Sequence, residues 1–181
     1  LTTGNTVGAL YVSNNSSAAT SVNNDGTVVG NVGMEAEDGS MIFVNNGTID
    51  NVGVFNEGYD ENGDPVSWPA DVNFSANGDG NLNVVNTGSI STEEVYIRSN
   101  GESSTTVTNM AVKDENGDVI RQGAIETQEG LGMWGDGTIE FNNGGVISTD
   151  LDKSESWYDE NGDERDASSI WGDVYEGGSI T

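Results

Sequence analysis

Three copies of Asp-Glu-Asn-Gly-Asp carry the most suggestive chemistry in this 181-residue chain: Asp60–Asp64, Asp114–Asp118 and Asp159–Asp163. Oxygen ligands at positions 1, 3 and 5 suit a hard cation such as Ca2+. A full EF-hand loop also needs Gly at position 6 and Glu at position 12. Here Gly stands at position 4, and position 6 is Pro65, Val119 or Glu164. The pattern therefore reads first as a hairpin turn on Asn-Gly with solvated acids. The expectation is that no cofactor is required, with Ca2+ binding at these segments as the alternative.

Paired carboxylates suit glycoside hydrolysis. With 31 Asp and Glu, however, the sequence singles out no pair. His is absent, and the five basic residues, Arg98, Lys113, Arg121, Lys153 and Arg165, are scattered. Little is left to abstract a proton or to hold an acidic polymer. The expectation is no enzymatic activity, with no catalytic, cofactor-binding or metal-ligating residue assigned. Trp68, Trp134, Trp157 and Trp171, with Tyr59 and Tyr158 beside two of the acidic segments, offer ring faces that stack on sugars. The same rings suit a plainer task, covering the base of an insertion or capping a coil. Asn14, Asn15, Asn46 and Asn73 lie in Asn-x-Ser/Thr sequons. An Asn- and Thr-rich chain makes these by chance, though they would suit an archaeal surface glycoprotein.

The net charge of -26 argues against nucleic acid and anionic membranes, which need basic groups facing phosphate. It keeps the chain soluble and repels its copies. Without Cys there is no disulfide framework and no thiolate chemistry. No run approaches 18 apolar residues. The chain opens at Leu1 with no Met, which suggests a mature product or an excised piece.

The elements that must carry these residues are short strands. Asn-Gly occurs seven times and Asp-Gly four, both strong turn signals that tolerate positive φ. Between them run Met41-Ile42-Phe43-Val44 and Asn81-Leu82-Asn83-Val84-Val85, and no helical stripe is convincing. A cadence recurs: Asn23-Asn24-Asp25-Gly26-Thr27-Val28, Asn45-Asn46-Gly47-Thr48-Ile49, Asn86-Thr87-Gly88-Ser89-Ile90 and Asn142-Asn143-Gly144-Gly145-Val146-Ile147. Openings precede it at Val7, Val32, Val52, Val95 and Leu131, with one more near Asp173. The shorter spacings, 25 and 20 residues, match one coil of a β-solenoid with three strands and three corners.

In such a coil Ile42, Val44, Val52 and Val54 are expected to face inward. Asn residues at successive corners are expected to stack in ladders. The longer spacings each hold one Asp-Glu-Asn-Gly-Asp copy, read as a hairpin insertion or the corner of an extra coil. The first and third copies share a phase in the repeat and the second does not.

The combination Val32-Gly33-Met34, Gly39-Ser40 and Asn45-Asn46-Gly47-Thr48-Ile49 resembles the passenger region of bacterial type V autotransporter adhesins and filamentous-haemagglutinin-like proteins. The resemblance covers residues 5–58 and 130–149 and is weaker over 95–130. It implies a right-handed parallel β-helix on a Gram-negative cell surface, with roles in adhesion, aggregation or biofilm. Residues 1–181 depart from the family in their acidity, and neither a signal sequence nor a translocator barrel is expected within them.

The expected fold is therefore all-β: residues 1–181 form a single right-handed parallel β-helix (β-solenoid) segment with hairpin insertions, cut from a longer repetitive surface protein. The alternative is an antiparallel β-sandwich, for which Leu82–Ser99 and Phe43–Phe55 read as strand-turn-strand units and Thr106–Ile120 as a hairpin. The expected function is that of a non-enzymatic extracellular adhesin at the cell surface. Its partners would be surface glycans or proteins of host or neighbouring cells, or copies of itself. The alternatives are a structural subunit of an extracellular filament or pilus, and a polysaccharide-active β-helix enzyme.

Overall fold

The computed structural model describes residues 10–59, 63, 65–149, 157–158, 164–165, 170–175 and 177–181. The described residues are all β and turn, with no helix. Their strands stack in long parallel sheets because the chain repeats one circuit.

The first pass lays down β1 (Leu10–Asn14), β2 (Thr20–Asn24) and β3 (Thr27–Val28). The second lays β4 (Val32–Ala36), β5 (Ser40–Asn45) and β6 (Thr48–Asp50) against them, each parallel to its counterpart. The hairpin β7 (Phe55–Tyr59) and β8 (Pro65–Pro69) follows. The third pass is β9 (Val72–Ala76), β10 (Asn81–Asn86) and the start of β11 (Ser89–Ser99). The fourth is the rest of β11, β12 (Ser104–Met110), the hairpin β13 (Val112–Lys113) and β14 (Val119–Arg121), and the start of β15 (Ala124–Gly135). The fifth completes β15 and adds β16 (Thr138–Gly144) and β17 (Val146–Thr149). After β18 (Trp157–Tyr158) and β19 (Glu164–Arg165), β20 (Ile170–Val174) and β21 (Ser179–Ile180) begin a sixth.

Three strips of parallel strands result. The first runs β1-β4-β9-β11-β15-β20, and the second β2-β5-β10-β12-β16-β21. The third runs β3-β6 into the starts of β11 and β15, then β17. A register shift between Thr92 and Glu94 lets the single strand β11 turn from the third strip to the first. Antiparallel pairing among the described residues is confined to the three two-stranded hairpins, so the large sheets are not those of an antiparallel sandwich.

The strips enclose one apolar column. Each inward row stays apolar, and two keep nearly one residue type: Val32, Val72, Val95 and Leu131; Ile49, Ile90, Ile125 and Ile147; the third is Met34, Phe74, Ile97 and Met133. Phe43 and Phe74 meet at 5.9 Å across it. Fully burying side chains of this size stabilises by about 1.5–3 kcal/mol each. A column so narrow needs few apolar residues per pass, which is how a chain only 33% hydrophobic has a core.

Several sequence expectations shift by register. Met41 and Phe43 point inward, whereas Ile42 is 44% exposed. Side chains alternate with period two, so one step reverses every face. Val52 is 42% exposed and sits in the turn before β7, and Val54 is only half-buried, so Val52 does not open a pass. The true opening is Val72, opposite Val32. The last opening is likewise Ile170, opposite Leu131, and not Asp173. The opening placed at Val7 lies outside the described residues; Leu10 is opposite Val32. The hairpins are insertions, not extra coils. The first and third leave between the third and first strips and the second between the second and third, in keeping with their phases.

The Asn-Gly cadence marks the corner between the second and third strips, where backbones stack closely. A Cβ on Gly47 would lie 2.0 Å from Gly26 O, and one on Gly88 2.0 Å from Gly47 O. None of Gly26, Gly47, Gly88 and Gly145 has positive φ. At Gly47, Gly88 and Gly145 glycine is required by the pass beneath it and not by turn conformation.

Beside this row an asparagine ladder runs through the molecule. Asn24 Nδ2 donates to Asn45 Oδ1, Asn45 to Asn86, Asn86 to Asn109 and Asn109 to Asn143, each at 2.8 Å. The second N–H of each donor reaches the backbone: Asn24 to Thr48 O, Asn45 to Ser89 O, Asn86 to Ala124 O and Asn109 to Val146 O. Asn45, Asn86 and Asn109 are fully buried, so this pairing is what makes their burial affordable.

Candidate functional site

The acidic hairpins carry the Asp-Glu-Asn-Gly-Asp segments. Only the second is described; Asp159–Asp163 and all but Gly63 of Asp60–Asp64 lie outside the described residues. In Asp114–Asp118 one carboxylate oxygen of Asp114 accepts the backbone N–H groups of Asn116 and Asp118, both at 2.9 Å. These bonds hold the Asp114 carboxyl below the usual range. The carboxylate closes its own turn. No group of three or more His, Cys, Asp or Glu placed to hold a metal occurs among the described residues. Arg121, at the end of this hairpin, donates to Asn46 O and Oδ1 at 3.2 and 3.4 Å, holding the hairpin against the corner.

The outward surface of the first strip is different. Register places Tyr11, Gly33, Asn73, Tyr96, Gly132 and Trp171 in one row, and Ser13, Glu35, Ser75, Arg98, Trp134 and Asp173 in the next. At one end Tyr96 meets Trp134 edge-on at 5.2 Å, and Trp134 stacks parallel on Trp171 at 5.3 Å. The Arg98 guanidinium lies 4.4 Å from the Trp134 ring centre and 5.6 Å from that of Tyr96. The ring of Trp171 occupies the space above Gly132, where a Cβ would come within 2.4 Å of it. Of the aromatic residues singled out in the sequence, the structure brings Trp134 and Trp171 together. The side chains of Tyr59, Trp68, Trp157 and Tyr158 lie outside those described.

At the other end Tyr11 lies over Gly33 and remains 64% exposed. Its hydroxyl donates to Glu35 Oε2, which raises its pKa to about 12. Asn77 Nδ2 donates to the other Glu35 oxygen at 3.0 Å, and Asn100 donates to Asn77 Oδ1 at 2.8 Å. Between Tyr11 and the Tyr96–Arg98 pair the outward residues are short. They leave an open trough of about 700 Å³ floored by Gly33, Asn73 and Ser75, with Asn31 and Asp71 on one flank and Asn77 and Asn100 on the other. Small-molecule sites typically enclose about 300–1,000 Å³. Asn73 Oδ1 and Arg98 Nε are enclosed and have no hydrogen-bond partner. An enclosed polar atom left unpaired costs about 1–3 kcal/mol.

Four carboxylates gather at the corner beside the trough. Burial, with the charges of Glu129 and Glu93, pushes Asp71 up to about 6. Burial also pushes Glu94 up to about 7, against the lowering effect of the Tyr96 hydroxyl that donates to it, with Glu129 and Asp71 adding repulsion. Burial and the neighbouring Glu94 push Tyr96 upward as well. Near neutrality, then, this corner carries less charge than its composition suggests. A smaller hollow of about 320 Å³ lies on the third strip beside Thr127, whose hydroxyl is enclosed and unpaired.

Tyr11, Tyr96 and Arg98 were not singled out in the sequence as site residues. The available signal was alternation: Val95-Tyr96-Ile97-Arg98 places an aromatic and a cation on one outward face. Of the sequons, Asn14 is buried with its amide donating to Ala18 O and Ser40 O, whereas Asn73 opens on the trough. Compared with protein-family models, curated proteins and solved structures, the chain matches none.

Proposed function

We propose that the chain is a right-handed parallel β-solenoid segment of a non-enzymatic extracellular adhesin, displayed at a bacterial cell surface, attaching through its outer faces. One observation carries the reading: parallel strands stack pass on pass, an asparagine ladder ties the corner between the second and third strips, and outward side chains are free to differ from pass to pass. Stacked repeats of this kind make stiff supports with extended binding surfaces. The test is attachment. Beads coated with the intact chain adhere to bacterial or epithelial cells, or to each other. Beads indistinguishable from albumin-coated controls overturn the reading. Ordered filaments in electron micrographs would move it to a structural subunit. Any calcium dependence of adhesion is read by repeating the assay with a chelator.

A second reading, a polysaccharide-active enzyme, draws on Asp71 and Glu94, two carboxyls raised to about 6 and about 7 beside the trough. A raised carboxyl can act as general acid to a glycosidic oxygen while an ionised partner assists. Release of reducing ends from a neutral glycan, abolished in Glu94→Gln, would replace adhesion with this reading.

A further inference from the structure

The geometry points to the trough between Tyr11 and Arg98 as a binding site for a neutral sugar chain lying along the stack. This deepens the adhesion reading by naming its ligand class, and rests on that reading only for its biological setting.

The dimensions come from the passes. From the first pass to the fourth is three steps of about 4.8 Å, so the floor is about 14 Å long, suited to a short oligosaccharide. Tyr11 supplies the platform. It lies over Gly33, its hydroxyl is fixed on Glu35, and most of the residue is open to solvent. A preoriented ring of this kind takes the apolar C–H face of a sugar at little entropic cost. Asn73 and Arg98 bring the unspent polar atoms, Oδ1 and Nε, which side-chain rotation would turn toward ligand hydroxyls.

Charge selects the class. A polyanion meets a chain of net charge -26. A tightly held cationic ligand needs a carboxylate with oxygens to spare. Both oxygens of Glu35 are already taken, by Tyr11 and Asn77. Burial beside Glu129 and Glu93 makes Asp71 a weaker acid than usual. What remains is amide, hydroxyl, the Arg98 Nε–H and one open tyrosine ring, chemistry that suits a neutral polyol.

The experiment is titration calorimetry of the full chain with cellotetraose, maltotetraose and mannotetraose, and with tetragalacturonate as the anionic comparator. Two variants accompany the native chain. Tyr11→Ala removes the platform, and Ser75→Trp fills the middle of the trough from an outward position. Circular dichroism checks that each is folded. At least one neutral tetramer binds, both variants weaken it at least about tenfold, equivalent to about 1.4 kcal/mol, and tetragalacturonate does not bind. The assignment is overturned if no neutral tetramer binds, if neither variant changes binding, or if tetragalacturonate binds more tightly. Bead attachment without tetramer binding sinks this site and leaves adhesion standing. Tetramer binding without attachment supports the site and sinks adhesion.

Discussion

Two regions built from the same passes follow opposite rules. Along the corner between the second and third strips the residue type scarcely changes: Asn24, Asn45, Asn86, Asn109 and Asn143, beside Gly26, Gly47, Gly88, Gly123 and Gly145. Along the outward row of the first strip it changes at nearly every step, through Tyr11, Gly33, Asn73, Tyr96, Gly132 and Trp171. The corner repeats because each amide is the partner of the next and each glycine leaves room for the one beneath it. The outer row is free of that constraint, since its side chains meet solvent. Specific chemistry accordingly gathers on the outer row and the repeat supplies its support.

The sharpest way to break this contrast is at the centre of the ladder. Asn86→Ala leaves Asn45 Nδ2 without its amide partner and Asn109 Oδ1 without its donor, both fully buried. At about 1–3 kcal/mol for each stranded group plus a small cavity, the cost is about 3–5 kcal/mol. A fall in Tm of about 10 °C or more by differential scanning calorimetry is expected. The outward Asn73→Ala, which strands no described partner, should leave Tm nearly unchanged. Equal losses in the two variants would show that corner and face are not distinct.

A smaller effect separates two glycines of one row. A Cβ at Gly88 meets Gly47 O at 2.0 Å, whereas one at Gly26 has nothing nearer than Asn24 Oδ1 at 4.0 Å. Neither has positive φ, so conformational freedom does not distinguish them. Gly88→Ala should destabilise by about 2–3 kcal/mol through forced separation of backbones, and Gly26→Ala by less than about 0.5 kcal/mol. Denaturant midpoints decide it. Similar losses would mean that turn geometry, not stacking, selects glycine.

This glycine row shows how the sequence was legible. Close stacking and buried amides allow few residue types, so four of the five passes write a recognisable form of the same corner, whereas in the fourth the β13–β14 hairpin parts Asn109 from Gly123 and hides it. The inward register was not legible. Met41-Ile42-Phe43-Val44 is apolar on both faces, and hydropathy offers no way to choose between them. Val52-Gly53-Val54 imitates Val32-Gly33-Met34 although it belongs to a turn, because a β-region valine beside glycine suits either place. The trough was hidden for another reason. It is made by residues from four passes, and Tyr11 faces Arg98 across the intervening strands only once their register is known. Trp134 and Trp171 were visible as rings, but their stacking depends on Gly132, which carries no side chain to attract notice.

The smallest effect in view is a pH dependence, and it sharpens the comparison because the corner ladder does not titrate. Asp71 and Glu94 are raised to about 6 and about 7 from ordinary values of 3.8 and 4.5. Between those limits the folded chain binds more protons than the unfolded one, so stability falls as pH rises through the window and levels off above about 7. Carboxyls paired in the native state behave in the opposite sense, losing stability as pH falls. Melting the native chain at pH 5 and at pH 8 should therefore give the higher Tm at pH 5, by a few degrees, since both groups are partly solvated. General relief of charge repulsion acts in the same direction. The discriminating measurement is thus the difference between the native chain and Glu94→Gln. That variant should flatten the slope above pH 5 and leave stability at pH 5 nearly unchanged, because Glu94 is then already protonated. An unaltered slope would mean that the carboxylates beside the trough are as well solvated as those in the exposed turns, and that the first strip carries no electrostatic feature of its own.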